Sequence, residues 1–165
     1  MNNNYFTEMT EDYLEDVLQI YTHYVLHTTV TFHTQPLTRG EMKEMVCSPD
    51  PKYKTFVLLD KNRVSGYVLL TRHKPREAYD ETAEVTIYLD PSCQTKGLGS
   101  LALSHIEEYA RTQPLHALVA TICGQNEASI RLFEKSGYTK CAHYKEVGEK
   151  FGQRLDILGY QKIIS

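Results

Sequence analysis

The sequence predicts an α/β fold: one domain over residues 1–165, with a central twisted mixed β-sheet of about six to seven strands flanked by about four helices. Three observations carry this. Segments of helical period are interleaved with strand-like runs along the whole chain. Residues 83–90 alternate apolar and polar side chains, the period of a half-buried strand. A hydrophobic fraction of 41% in 165 residues is enough to bury a core without disulfide staples.

The elements follow in order. Residues 4–7 read as a short first strand. Thr10 reads as an N-cap, with Glu11 and Asp12 favouring the positive end of a helix. Leu14, Val17, Leu18, Tyr21 and Val25 repeat at helical spacing, which predicts a helix over residues 11–26. The β-branched and aromatic run at residues 28–32 ends it. Thr38 and Glu41 form a capping box for a second, shorter helix to about Cys47. Ser48-Pro49-Asp50-Pro51 is a turn. Residues 55–59 and 64–71 are strands, joined by a hairpin loop at residues 60–63. Residues 73–80 form a polar loop.

The strand at 83–90 follows, then a loop, then a helix that opens on Gly97 and Gly99 and ends near Thr112, before Pro114. Residues 117–122 read as a buried strand. Asn126 caps a helix through Ile130, Leu132 and Phe133 that stops at Gly137. Residues 138–147 and 154–161 are two closing strands around a loop at 148–153. The chain shows no internal repeat or low-complexity tract.

Charge and cysteines narrow the class. A net charge of −3 and a pI near 6.2 give no electrostatic footprint for nucleic acid, so no nucleic-acid partner is expected. Cys47, Cys93, Cys123 and Cys141 make no C-x-x-C pair. With no signal-like segment at residues 1–10, they read as reduced cytoplasmic thiols. No apolar run approaches the roughly 20 residues of a membrane span. His23 and His27 stand four apart, but no third ligand has suitable spacing, so no metal is expected.

Gly97 and Gly99 bring bare backbone to a helix start, where unpaired N–H groups bind phosphate. Gly97-x-Gly99-x-x-Ala102 satisfies the dinucleotide fingerprint in letters alone. That fingerprint needs a tight turn directly after its strand and an acid closing the next strand. Residues 90–96 are too long for the turn, and the next strand ends Ile122-Cys123-Gly124 with no acid. NAD is rejected. No G-K-[ST] is present, so the Walker pattern fails as well.

What remains, Gln94-x-x-Gly97-x-Gly99, resembles the Q/R-x-x-G-x-G/A motif of the GNAT N-acetyltransferases. Asn126-Glu127-Ala128-Ser129, continuing through Phe133-Glu134-Lys135 to Gly137-Tyr138, resembles that superfamily's N-x-x-[AS]…E-K-x-G-[FY] segment. Three further stretches are similar to phosphinothricin acetyltransferase-like proteins. They are Ile20-Tyr21 to Val25 with Thr31-Phe32, Arg76-Glu77-Ala78-Tyr79 with residues 83–89, and Val147-Gly148-x-Lys150-Phe151-Gly152-x-Arg154-Leu155-Asp156. The similarity covers nearly the whole chain.

The resemblance implies an acetyl-CoA-dependent N-acetyltransferase and a sheet splayed at its centre to admit the cosubstrate. It implies that Gln94, Thr95, Lys96, Gly97, Leu98, Gly99 and Ser100 hold the pyrophosphate. Backbone groups of Ile87, Tyr88 and Leu89 would polarise the thioester carbonyl. Asn126 and Ser129 would meet the pantetheine arm, and Lys135 would reach the cofactor from its helix. Glu84 corresponds to the family's proposed catalytic glutamate.

Phe32, Arg76, Tyr79, Glu84, Val85 and Thr86 would bind the acceptor, a small amino acid or an analogue such as phosphinothricin or methionine sulfoximine. A homodimer is implied, with residues 148–154 helping to close the pocket. Two departures stand out. Phe133 replaces a proton donor, Tyr or His, and Arg154-Leu155 lies where the family carries a Trp. A protein or peptide amine as acceptor, and a non-catalytic CoA-binding domain, stay open as alternatives at this point.

Overall fold

The computed structural model describes residues 4–93 and 97–165. Strand β1 (Asn4–Glu8) lies antiparallel to β2 (Thr55–Asp60), and β2 to β3 (Arg63–Arg72). Lys61 and Asn62 close that hairpin with φ of +48° and +67°, the left-handed pair that a tight two-residue turn requires. β3 pairs antiparallel with β4 (Thr82–Leu89), and β4 pairs in parallel with β5 (Ala117–Cys123). The final hairpin, β6 (Thr139–Lys150) and β7 (Gln153–Ile163), completes a seven-stranded mixed sheet in the order β1-β2-β3-β4-β5-β7-β6. The expected α/β class holds.

Helices cover both faces. α1 (Leu14–His27) and α2 (Arg39–Val46) pack on one face, where Leu14, Val17, Tyr21 and Met42 meet Val57, Tyr67 and Leu69. α3 (Leu98–Arg111) lies on the other, burying Ala102, Leu103 and Ile106 against Val68, Leu70, Val85 and Leu118. α4 (Glu127–Lys135) adds Phe133 to this second core. No helix among the described residues is long and apolar enough to cross a membrane.

The Thr38–Glu41 capping box forms, with Glu41 N–H donating to Thr38 Oγ1 and Thr38 N–H to the Glu41 carboxylate. Four expectations are corrected. Thr10 is extended and makes no side-chain cap; residues 11–13 form a 3₁₀ turn, and α1 begins after it. β5 is not buried on both faces: Leu118, Ala120 and Ile122 are buried, whereas Thr121 is exposed. Residues 148–153 are not a loop, because Gly148↔Leu155, Glu149↔Arg154 and Lys150↔Gln153 are paired. Only Phe151 and Gly152, with φ of +53° and +72°, turn the chain. Finally, the face of β4 bearing Glu84 and Thr86 is not polar throughout. Tyr88 on that face packs among Tyr21, Tyr24 and Tyr67, with ring centroids 5.2–5.7 Å away.

Candidate active site

The site begins where two strands part. β4 and β5 pair only at Thr82↔Ala117, Ala83↔Leu118 and Glu84↔Val119. β4 stays bonded to β3 through Leu89, and β5 to β7 through Cys123, so both strands continue while the space between them opens. A cleft of about 380 Å³ fills the opening. Tyr24 of α1 and its C-cap Thr28 flank it on one side, and Ser129 and Leu132 of α4 with its N-cap Asn126 on the other. The Tyr24 hydroxyl donates to the Leu89 carbonyl at 2.5 Å, tying α1 to the end of β4.

The start of α3 borders the same cleft. Gly97 is the N-cap with φ +71°, a left-handed backbone that glycine adopts freely. Gly99 has a packing reason: a Cβ there would lie 3.1 Å from Leu132 Cδ2, so its bareness lets α3 meet α4. The first N–H groups of a helix lack intrahelical partners, and here they border the cleft.

Eight expected cofactor residues line this cleft: Ile87, Tyr88, Leu89, Gly97, Gly99, Ser100, Asn126 and Ser129. Leu98 does not; its side chain is buried with Leu58 and Cys93, leaving only its backbone to serve. Lys135 is exposed at the end of α4 and is absent from the cleft wall. Gln94, Thr95 and Lys96 lie outside the described residues. The Asn126 side chain accepts from Ser129 N–H at 3.2 Å, so it caps α4 as well as lining the cleft.

Glu84 sits at the closed end of the parting. Thr121 Oγ1 donates to its Oε1 at 2.9 Å. His73 Nδ1 lies 3.4 Å from its Oε2. The carboxylate side chain is 27% exposed, so solvent can reach it. Thr86 lines a smaller chamber between the strands, beside Thr121 and Phe133. Val85 points the other way, into the core, and has only backbone to offer.

Tyr79 lies edge-on to His73, with centroids 5.7 Å apart, and Lys74 stands over its ring. Arg76 is exposed at the start of the 3₁₀ turn over Glu77–Tyr79. Its side chain makes no hydrogen bond or ion pair among the described residues. Phe32 is 38% exposed and rests on Gly148.

Phe133 is buried, with Tyr138 at a right angle 4.9 Å away. Burial first, then Glu107, pushes the Tyr138 hydroxyl far above its usual range, and Tyr138 lines neither chamber. Burial likewise raises Tyr88. Among the described residues no group of three His, Cys, Asp or Glu side chains could hold a metal ion.

Sequence reasoning missed His73 and Thr121. His73 lay in a loop read only as polar. Thr121 reaches Glu84 through a parallel register that no local pattern encodes.

The chain belongs to the acetyltransferase (GNAT) family, whose model matches residues 12–138. It is an acetyltransferase of that family. It is 32% identical over 156 residues to the phosphinothricin N-acetyltransferase of Streptomyces coelicolor, an alignment covering 92% of this chain and 91% of that protein. It is 33% identical over 142 residues to the L-methionine sulfoximine/L-methionine sulfone acetyltransferase of Salmonella typhimurium, covering 86% and 83%. The crystal structure of the phosphinothricin acetyltransferase of Sinorhizobium meliloti in complex with acetyl-CoA superposes with a TM-score of 0.92. It is 26% identical, with 97% of this chain and 88% of that chain covered.

Proposed function

We propose that this chain transfers the acetyl group of acetyl-CoA to the amine of a small amino acid or analogue, with Glu84 as general base. The observation that supports the reading is the end of β4–β5 pairing at Glu84↔Val119, which puts a carboxylate at the last paired position before the strands part. The cleft suits a long, thin cosubstrate: it runs between α1 and α4 and borders the first turn of α3, whose N–H groups complement phosphate. The relatives' named acceptors support a small amino-acid analogue.

Acetyl-CoA supplies an activated thioester. The chain's own residues do the rest. An amine with a pKa near roughly 8–10 is mostly protonated at neutral pH. Glu84 takes its proton, and Thr121 fixes the carboxylate by donating to Oε1. Backbone N–H groups of Ile87 and Leu89, on the edge released from cross-strand pairing with β5, serve as preorganised donors to the acyl oxygen, whereas the Tyr88 N–H faces β3. Phe133 gives no proton to the departing thiolate, whose pKa of roughly 8.5 lets it leave unassisted.

The reading includes a homodimer. Three large apolar side chains of the last hairpin, Tyr144, Val147 and Phe151, are 59%, 61% and 58% exposed, which supports a partner surface there. The test is thiol release from acetyl-CoA across a panel of amino acids that includes methionine sulfoximine and phosphinothricin. Release with a small α-amino acid is expected. No release above background with any small amine would sink the small-acceptor reading.

A further inference from the structure

We propose that His73 receives the proton from Glu84 and passes it to solvent. The inference rests on the reading of Glu84 as general base. Its ground is the way the carboxylate is bracketed. Thr121 of β5 holds Oε1, and His73 Nδ1 faces Oε2 at 3.4 Å. Nδ1 is buried and makes no hydrogen bond among the described residues, so the carboxylate is the polar group it addresses.

Direction follows from the register. Arg72 pairs with Ala83, so His73 leaves β3 beyond the N-terminal side of Glu84. The strands part on the other side, toward Leu89. A proton taken from an amine in the parting therefore has an exit away from the bound substrates. The His73 side chain keeps 21% of its surface exposed, which gives that exit an end in water.

The transfers balance. The amine N–H breaks as an O–H forms on Glu84. That O–H breaks as an N–H forms on the imidazole. The imidazolium then loses one proton to bulk water, and carboxylate and neutral ring are both restored. Histidine suits this because an imidazole ring has two nitrogens, one able to accept a proton while the other releases one. The groups around the ring are Glu84 on β4 and Tyr79 on the 3₁₀ turn. Lys74 lies over Tyr79, and the Arg72–Asp80 pair, at 3.1 Å, stands next along the chain.

The experiment measures kcat and both KM values from acid to alkaline pH for the wild type, His73→Ala and His73→Gln. Added imidazole and blanks without acceptor are included. Glutamine keeps a hydrogen-bonding side chain but cannot take up and release a proton. Both variants should lose about tenfold in kcat, with the KM for acetyl-CoA within about twofold of wild type. Imidazole should restore His73→Ala in proportion to its concentration. Full turnover in His73→Gln would make His73 a positioning residue, and unchanged turnover in His73→Ala would remove it from the reaction. Either result, with an active wild type, defeats this proposal alone. A wild type that acetylates no amine defeats the general-base reading and this proposal together.

Discussion

Gly148 lies flat against the ring of Phe32: a methyl group built on it would fall 2.6 Å from Phe32 Cε1 and 3.0 Å from Cδ1. The last hairpin therefore sets where Phe32 stands. Gly148→Ala must push the ring aside. If Phe32 walls the acceptor pocket, the acceptor KM should rise about threefold to tenfold, with the KM for acetyl-CoA unchanged. A change confined to the acetyl-CoA KM would move Phe32 out of the acceptor pocket.

Glu84→Gln keeps shape and removes the base. Turnover should fall at least about tenfold while acetyl-CoA binding, followed by calorimetry, stays nearly intact. Thr121→Val leaves the carboxylate but takes away its Oε1 partner, so a smaller loss is expected. Unchanged turnover in Glu84→Gln would eliminate it as the base.

Asn126 has two tasks that one variant can separate. Asn126→Ala removes the α4 N-cap and should cost about 1 kcal/mol in a urea melt. A rise in acetyl-CoA KM beyond that loss would come from its place on the cleft wall. An unchanged KM would confine Asn126 to capping.

Lys150 is only 3% exposed, and its Nζ donates to the Thr31 carbonyl at 2.9 Å and the Tyr24 carbonyl at 3.4 Å, at the end of α1. Burial lowers its pKa. The folded state therefore binds fewer protons than the unfolded one between the lowered value and 10.5, and stability should rise with pH across that window. Lys150→Met should abolish this alkaline rise and cost about 1–3 kcal/mol near neutrality by stranding Thr31's carbonyl. Thermal melts from pH 7 upward decide it.

His105 is sandwiched by Phe6, stacked at 4.3 Å, and Phe56, edge-on at 4.5 Å. Burial lowers its pKa, against a smaller raising effect of Glu108. The unfolded chain then takes up more protons below pH 6.5, so the melting temperature should fall as pH drops from there toward the lowered folded value. His105→Phe should flatten that part of the profile. An identical slope in the variant would assign the acid sensitivity elsewhere.

Local chemistry was legible and long-range register was not. The alternation of residues 83–90 announced β4, and Thr38 with Glu41 announced α2, because a strand face and a capping box are properties of neighbours in sequence. Residues 148–153 read as a loop, yet Gly148 is paired with Leu155, and its bareness leaves the space that Phe32, more than a hundred positions away, occupies. Gly97 pointed to the cleft by its backbone freedom; the reason for Gly99 is Leu132 on another helix. His73 and Lys150 gain their meaning from partners on distant elements, so two loops, one of them polar, were all that could be read there.

Where β4 and β5 separate, backbone donors and acceptors face one another without cross-strand bonds. A bare strand edge of this kind is a template that a foreign polypeptide can extend, the usual route to edge-to-edge aggregation. Here the edge lies recessed between α1 and α4, in a slot that suits a slender linear molecule better than a strand carrying side chains on both faces. The geometry that admits a cosubstrate thus also protects the chain against templated self-association.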